Sequence, residues 1–439
     1  MKLLTFKGGV HPPEKKELAK DKQIQRLDLP DTVYVYMANH AGAPAKVVVE
    51  KEQEVKTGQV IGEPAGFISA YVHSPVTGKV VDIKKMLHPI IGKPVDTVII
   101  QRTGDDEWEL LEGHGSFEDK SPEELVDLVK KAGIVGMGGA MFPTHVKLSP
   151  PPGKKVDTLV INGAECEPYL TIDYRTMLER ADELLLGIKI LKKILGVQRV
   201  FVGVENNKMD AIKHLQKVFS GEPIEVVPLK TKYPQGSEKQ LIYAITGRTV
   251  PRGGLPLDVG VVVQNVGTAV AIKEAVIDGK PLVERGLTVT GEAVKNPGNY
   301  IVRIGTPAKL VLDKAGLDES VDRVLFGGPM MGIAIRDINT PVMKGTSGIT
   351  ALLPEQTQIK MPKPCIRCAK CVDVCPMNLQ PYLLYHLVLK KRYDEAVDIG
   401  LMDCIECGSC SFICPSKIEH VRQIKLGKTV YKALRGAKK

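Results

Sequence analysis

The sequence predicts a multidomain α/β chain that ends in a helical, cysteine-based domain. Three observations predict it. Residues 121–278 alternate between apolar strand runs and amphipathic helix runs. Residues 32–85 read as short strands separated by glycine turns. Eight of the nine cysteines lie beyond residue 364, in two copies of the pattern C-x2-C-x2-C-x3-C-P.

Composition sets the frame. A length of 439 residues suggests two to four domains. Apolar content of 43% and charged content of 25% are ordinary for a soluble globular protein. The opening MKLLTFKGGVHPPEKKELAK has only a short apolar patch before charge and proline, so no secretory signal is expected. The longest apolar candidate, 259–272, is broken by Gln264 and Asn265, so no membrane span is expected. The net charge is +9, and from Ile359 onward there are 15 Lys+Arg against 7 Asp+Glu, so +8 of it sits there. That basic end reads as a solvated helical tail, or as a face for an acidic protein or an anionic membrane. With no aromatic beyond Tyr431 in the tail, nucleic acid is not the expected partner.

In chain order, the α/β region opens at SPEELVDLVKKAG, with Ser121 as N-cap, Pro122 at the first helical position and Glu124 completing a capping box. VDTLVIN (156–162) is an apolar strand, and DYRTMLERADELLLGIKILKKILG an amphipathic helix. RVFVGVE (199–205), IEVVPLK (224–230) and VGVVVQ (259–264) are further strands, separated by the helices NKMDAIKHLQKVF and GSEKQLIYAITG. A last helix starts from Gly267. Continuous apolar strands between helices imply a parallel sheet covered on both faces. Ligands of such sheets sit beyond the carboxyl ends of the strands.

The loops at those ends are unusual. GIVGMGGAMFP (133–143) is glycine-rich but follows a helix, so it is not the dinucleotide fingerprint, and it lacks the Lys-Ser/Thr of a P-loop. Alone it is equally a tight turn. NGAECEP (162–168), YPQGSE (233–238) and QNVGT (264–268) converge on the same edge. The last two open helices, whose free N–H groups favour a phosphate.

The cysteines form a poor disulfide framework in a signal-less, otherwise cysteine-poor chain. Zinc usually takes two well-separated pairs. Three thiols within seven residues and a fourth before proline make the bacterial ferredoxin run. Because the fourth cysteine of such a run serves the other cluster, one 4Fe-4S cluster is expected on Cys365, Cys368, Cys371 and Cys414, and the other on Cys404, Cys407, Cys410 and Cys375. PYLLYHLVLKKRYDEAVDIGLMD, between the runs, reads as helix. Cys166 stands alone and reads as a small buried residue.

GIVGMGGAMFPTHVKL followed by LVINGAECEPYLTIDYRTML resembles the flavin-binding stretch of the complex I flavoprotein subunit. FKGGVHPPE, CIRCAKCVDVCPMNLQP and DCIECGSCSFICPSKI resemble the C subunits of Rnf electron-transport complexes, over essentially the whole chain. The resemblance implies non-covalent FMN in a Rossmann-like domain, with NAD(H) as substrate. Its implied flavin residues are Gly136, Gly138, Gly139, Ala140 and Lys147, then Asn162, Glu165 and Glu167, then Gly236, Ser237 and Glu238, then Gln264, Asn265 and Thr268. Glu165 and Glu238 are expected nearest the redox step. Two departures touch nicotinamide binding: VPRGGLPLD (250–258) has no aromatic where the complex I relative has one, and Tyr169 replaces a glycine.

VKTGQVIG and VHSPVTGKVVDI resemble a lipoyl-type barrel-sandwich hybrid. PAGFISAYVH (64–73), at the hairpin position, has no lysine, so a structural or docking module without an attached group is expected. VERGLTVTGEAVKNPGNYIVRIGTPAKLVLDKAGL (283–317) resembles a β-grasp domain, read as a spacer, and TALLPEQTQIKMPKP (350–364) reads as the linker to the clusters. The expected domains are 1–110 (barrel-sandwich), 115–280 (flavin), 281–350 (β-grasp), 360–420 (dicluster ferredoxin-type) and 421–439 (basic tail). The resemblance implies a peripheral subunit on the cytoplasmic face of the membrane, partnered by other subunits and, through them, ferredoxin. A soluble cobalamin reductase and a scaffold with a vestigial flavin pocket are the competing expectations.

Overall fold

The computed structural model describes residues 3–358 and 360–436. Residues 437–439 of the expected basic tail, Met1 and Lys2 of the opening, and Ile359 lie outside the described residues.

The central sheet is parallel throughout, in the order Glu225–Leu229, Arg199–Glu205, Thr158–Gly163, Val261–Asn265. The chain builds outward from Thr158–Gly163 to one side and then crosses to add Val261–Asn265 on the other. That reversal makes a topological switch point between these two strands, where ligands of open α/β sheets bind. Asn162 and Asn265 are register partners there. The helix Pro122–Lys131 starts on the expected Ser121/Glu124 capping box.

The single helix read across 173–196 is two, Ile172–Glu179 and Ala181–Leu195. Helical spacing runs on through the break. Arg180 adopts φ −129° and is held there by carboxylates of Glu183 (2.5 Å) and of the distant Glu274 (2.6 Å). The second helix packs against Val266–Val276 at Gly187, where an added Cβ would lie 2.0 Å from the Ala269 carbonyl oxygen. Gly187→Ala is therefore expected to cost about 1–3 kcal/mol, read as a lower urea midpoint. An unchanged midpoint would contradict this packing.

The barrel-sandwich is two small sheets. One is ordered Thr32–Tyr36, Pro94–Arg102, Gly78–Leu87, Glu54–Val55, and the other Lys46–Val47, Val60–Glu63, Val72–His73. Strand alternation sends Val33 and Val35 inward onto Ile61, Val72, Val98 and Ile100.

The β-grasp region has six strands and the helix Ala308–Ala315. Its edge strand comes from far away: Ile24–Arg26 pairs in parallel with Gly298–Arg303. Gly348–Leu352 is its fourth strand, paired with Glu284–Thr290 and Arg323–Phe326. Thr350–Leu352, read as linker, are therefore strand. The segment before residue 28 lies outside the sandwich altogether. Leu4 bridges to Leu229 and Val10 to Tyr233 on the parallel-sheet domain, and Lys16 is buried beneath the 165–170 loop.

The C-terminal domain is helical, as expected. The stretch read as one helix is Pro381–Leu389 and Tyr393–Asp398, broken at Lys391 with φ 58°. Leu384, Val388, Ala396 and Leu401 pack with Ile424 of the long helix His420–Gly436.

Candidate functional site

The switch point gathers the sequence-picked loops. Gly136 closes the glycine loop by donating its N–H to the Phe142 carbonyl (2.9 Å), and the Met137 N–H bonds Thr268 Oγ1 (3.0 Å). Gly138, Gly139 and Ala140 are left exposed. A Cβ on Gly138 would lie 2.9 Å from Asn265 Nδ2, so only glycine lets the loop lie this close to the strand end. Asn265 caps the helix Val266–Val276, its Oδ1 accepting from the Gly267 N–H (2.8 Å), while Nδ2 donates to Asp173 (2.7 Å). Lys147 donates to Glu238 (2.8 Å), which opens the helix Glu238–Thr246. Ser237 sits at that N-cap, but its side chain makes no capping bond. Asn162 donates to the Gly236 carbonyl (2.8 Å), and Gly236 N–H bonds Cys166 Sγ (3.2 Å).

The acidic loop separates the two glutamates. Glu165, at φ 47°, accepts from the Asp173 N–H (2.7 Å), and its other oxygen lies 3.9 Å from Lys16 Nζ. Burial pushes its carboxyl up to about 7, against the pull of Lys16. Burial likewise raises Asp173 and lowers Lys16. Glu167 turns the other way and accepts from the Met330 N–H (2.7 Å) in the β-grasp region; burial raises it to about 7. It braces two domains rather than facing the glycine loop. Sequence reasoning missed Asp173 and Lys16. Asp173 lies inside the quoted stretch, whereas nothing near Lys16 marks it.

Orphaned buried polar atoms at this edge, Glu165 Oε2 and Gln264 Nε2, together with two helix N-termini and the open glycine backbone, fit a phosphate-bearing flavin.

The cysteines group across the two runs. Burial pushes the Cys410 thiol up, and the thiols of Cys404, Cys407, Cys375 and Cys371 add to the effect. Cys371 is raised by burial, and then by Cys414 and Cys365. The fourth cysteine of each run thus lies near enough to the other run to act on its thiols. Among the described residues no three His, Cys, Asp or Glu side chains converge as on one ion; a cubane needs its thiolates on separate corners. Backbone N–H groups of Arg367, Leu379 and Glu406 point at Cys365, Cys375 and Cys404 Sγ, each at 3.4 Å. Such N–H···S contacts stabilise a charged cluster. The residues fit two 4Fe-4S clusters.

Fold and site define an iron–sulfur electron-transfer protein built on a flavin-type parallel sheet. The chain is 48% identical over 396 residues to the C subunit of the proton-translocating ferredoxin:NAD(+) oxidoreductase complex of Clostridium ljungdahlii, covering 90% of this chain and 86% of that one. It is 47% identical over 402 residues to the Na(+)-translocating counterpart of Acetobacterium woodii, covering 91% and 90%. It belongs to the C-subunit family of these Rnf-type ion-translocating oxidoreductase complexes.

Family models match in four places: the RnfC barrel sandwich hybrid domain at 4–105, the Nuo51 FMN-binding domain at 129–274, the SLBB domain at 287–334 and a 4Fe-4S dicluster domain at 357–415. The fold is also that of a chain in the NAD+-reducing [NiFe]-hydrogenase, with TM-score 0.52 and 18% identity over 70% of this chain and 63% of that one.

Proposed function

We propose that this chain is the electron-transferring C subunit of a membrane-bound, ion-translocating oxidoreductase, moving electrons between NAD(H), FMN and two 4Fe-4S clusters, toward or from ferredoxin. The observation that carries it is the junction of the two redox regions. Gln240, in the first turn of the helix opened by Glu238, donates to the carbonyl of Pro376 (3.1 Å), the residue after Cys375.

FMN, when bound, divides a two-electron hydride into single electrons that clusters can take. The chain's own residues do the holding. Gly136, Gly138, Gly139 and Ala140 supply an open backbone cradle. Lys147, Gln264, Asn265 and Thr268 bind or brace at the helix starts, with Gly236 and Ser237. Glu238 sets the position of Lys147. Asn162 fixes the 236 loop, and Glu165 places a carboxyl, poised near neutrality, beside Asp173. Glu167 holds the acidic loop in register with the β-grasp region. The soluble cobalamin-reductase reading finds no support among the relatives, which are named as parts of a complex.

The reading places the protein peripherally on the cytoplasmic face of a membrane, through its partners. No helix among the described residues is long and apolar enough to cross a bilayer. Anaerobically prepared protein is expected to carry about eight irons per chain, two cubanes of four, together with one FMN. Iron, zinc and flavin analysis of one sample checks this, and stoichiometric zinc with little iron would overturn it. Gently broken cells should retain the protein with membranes until its partners are stripped away.

A further inference from the structure

We propose that Arg285, on the β-grasp strand Glu284–Thr290, is a positioning residue of the flavin site: it fixes the glycine loop from behind, and its charge favours the bound flavin and the negative charge that reduction brings to it. The proposal rests on the flavin reading above and deepens it. It makes the β-grasp region a working part of the site rather than a spacer.

Arg285 is 5% exposed. Burial lowers its guanidinium to about 10, so it keeps its charge at neutral pH. A buried charge is ordinarily paired with an opposite one, yet the acids nearby are engaged elsewhere. Glu284 meets Arg26 (2.5 Å) and Arg303 (3.2 Å), Glu274 meets Arg180 (2.6 Å), and Asp173 accepts from Asn265 (2.7 Å). Asp173 is the one acid that pulls on the guanidinium. The hydrogen bonds of Arg285 go to backbone carbonyls instead: Nε to Gly286 (2.9 Å), and Nη1 to Lys344 (2.7 Å) and, more loosely, to Met137 (3.4 Å).

Met137 lies between the cradle residues Gly136 and Gly138. Its N–H bonds Thr268 and its carbonyl meets Arg285, so both of its backbone groups are held while Gly138, Gly139 and Ala140 stay exposed. A small cavity of about 40 Å³ is lined by Met137, Asp173, Gly267 and Arg285. Gly267 belongs to the first turn of Val266–Val276, the positive end of that helix. The 343–346 segment grips the rest of the loop. Lys344 Nζ donates to the Gly133 carbonyl (2.7 Å) at one end and to the Tyr71 carbonyl (2.8 Å) of the barrel-sandwich. At the other end, a Cβ on Gly345 would lie 2.4 Å from Met141 Cγ. A buried cation beside a helix N-terminus and an open glycine backbone suits an anion, and its field is weakly screened there.

The test uses the full chain with both clusters, depleted of flavin and titrated with FMN at pH 8.5. There the Lys344 amine, lowered by burial to about 7, is mostly neutral. The readouts are flavin fluorescence quenching for affinity and potentiometric titration for the midpoint of the bound flavin under excess FMN. R285Q should weaken FMN by about tenfold or more, the size of one lost interaction with a charged group, and make the flavin midpoint more negative. R285K, which keeps the charge, should hold the midpoint at the wild-type value. K344M removes a tether but no charge at this pH, so it should weaken FMN and leave the midpoint unchanged. Dithionite should reduce the clusters alike in all four proteins. Wild-type affinity and midpoint in R285Q would overturn the proposal. So would a midpoint shifted equally in R285Q and K344M, which would assign the effect to loop position alone. Should R285Q fail to fold, R285K decides: a shifted midpoint with the charge still in place would overturn it. If the wild type takes up no FMN, the failure lies with the proposed function itself.

Discussion

Asn265→Ala combined with Glu238→Ala is expected to keep both clusters, to be reduced by dithionite, and to stay oxidised when NADH is added. Asn265 joins the glycine loop, the helix Val266–Val276 and Asp173, and Glu238 positions Lys147. Removing both loosens the flavin cradle without touching a cysteine. The fold should survive. Losing a helix N-cap costs about 1 kcal/mol and a part-exposed ion pair about 0–1 kcal/mol, against a typical stability of about 5–15 kcal/mol. Hydride transfer delivers two electrons, whereas a cubane accepts one. NADH should therefore have no useful route to the clusters once the flavin is gone. The measurement is cluster absorbance and EPR after anaerobic NADH addition, with dithionite as the control. Added FMN should restore part of the NADH response. Cluster reduction as fast as in flavin-loaded wild type would show that the flavin is not the obligatory relay.

Much of this was legible because it is local. Apolar strand runs and the Ser121/Glu124 box mark the α/β domain, and the fixed spacing of the cysteines marks the dicluster domain. What escaped depends on distant partners. The break at Arg180 is held by Glu274, 94 residues away, so helical periodicity continues through it. Thr350–Leu352 looks like the head of a linker until Glu284–Thr290 and Arg323–Phe326 flank the strand Gly348–Leu352. The opening segment gives no sign that Ile24–Arg26 completes the β-grasp sheet or that Lys16 reaches the acidic loop. Loop motifs identified Glu165 and Glu167 together, yet one carboxyl meets Asp173 and the other the 330 loop, a division set by the tertiary fold.

Lys16→Met should destabilise the protein in a pH-dependent way, most strongly in mild alkali. Lys16 Nζ donates to the carbonyls of Glu167 (3.0 Å) and Leu170 (2.5 Å) and lies 3.9 Å from Glu165 Oε2, whose side chain is 4% exposed. Burial raises the Glu165 carboxyl to about 7, and Lys16 restrains that rise. Lys208, Glu205, Cys166 and Asp173 also act on the pair. Without the Lys16 cation the carboxyl must climb further. A carboxyl whose folded pKa is raised contributes stability that is present below its unfolded value near 4.3 and lost as pH rises through the folded one. The variant therefore goes on losing stability above pH 7, where the wild-type loss has levelled off. At pH 5.5 Glu165 is protonated in both proteins. The deficit there is then that of two carbonyls left without their donor, about 1–3 kcal/mol. At pH 8.5 the variant must either ionise Glu165 with only the weaker pull of Lys208 to offset the charge or hold its proton against the solvent. The deficit should approach the 3–5 kcal/mol typical of a broken buried pair, about 3 kcal/mol at least. Adding Glu165→Gln should remove the pH dependence and leave the smaller, constant loss. Urea unfolding at the two pH values reads all three proteins. A Lys16→Met deficit equal at both would show that the cation holds only the carbonyls and leaves the charge of Glu165 untouched.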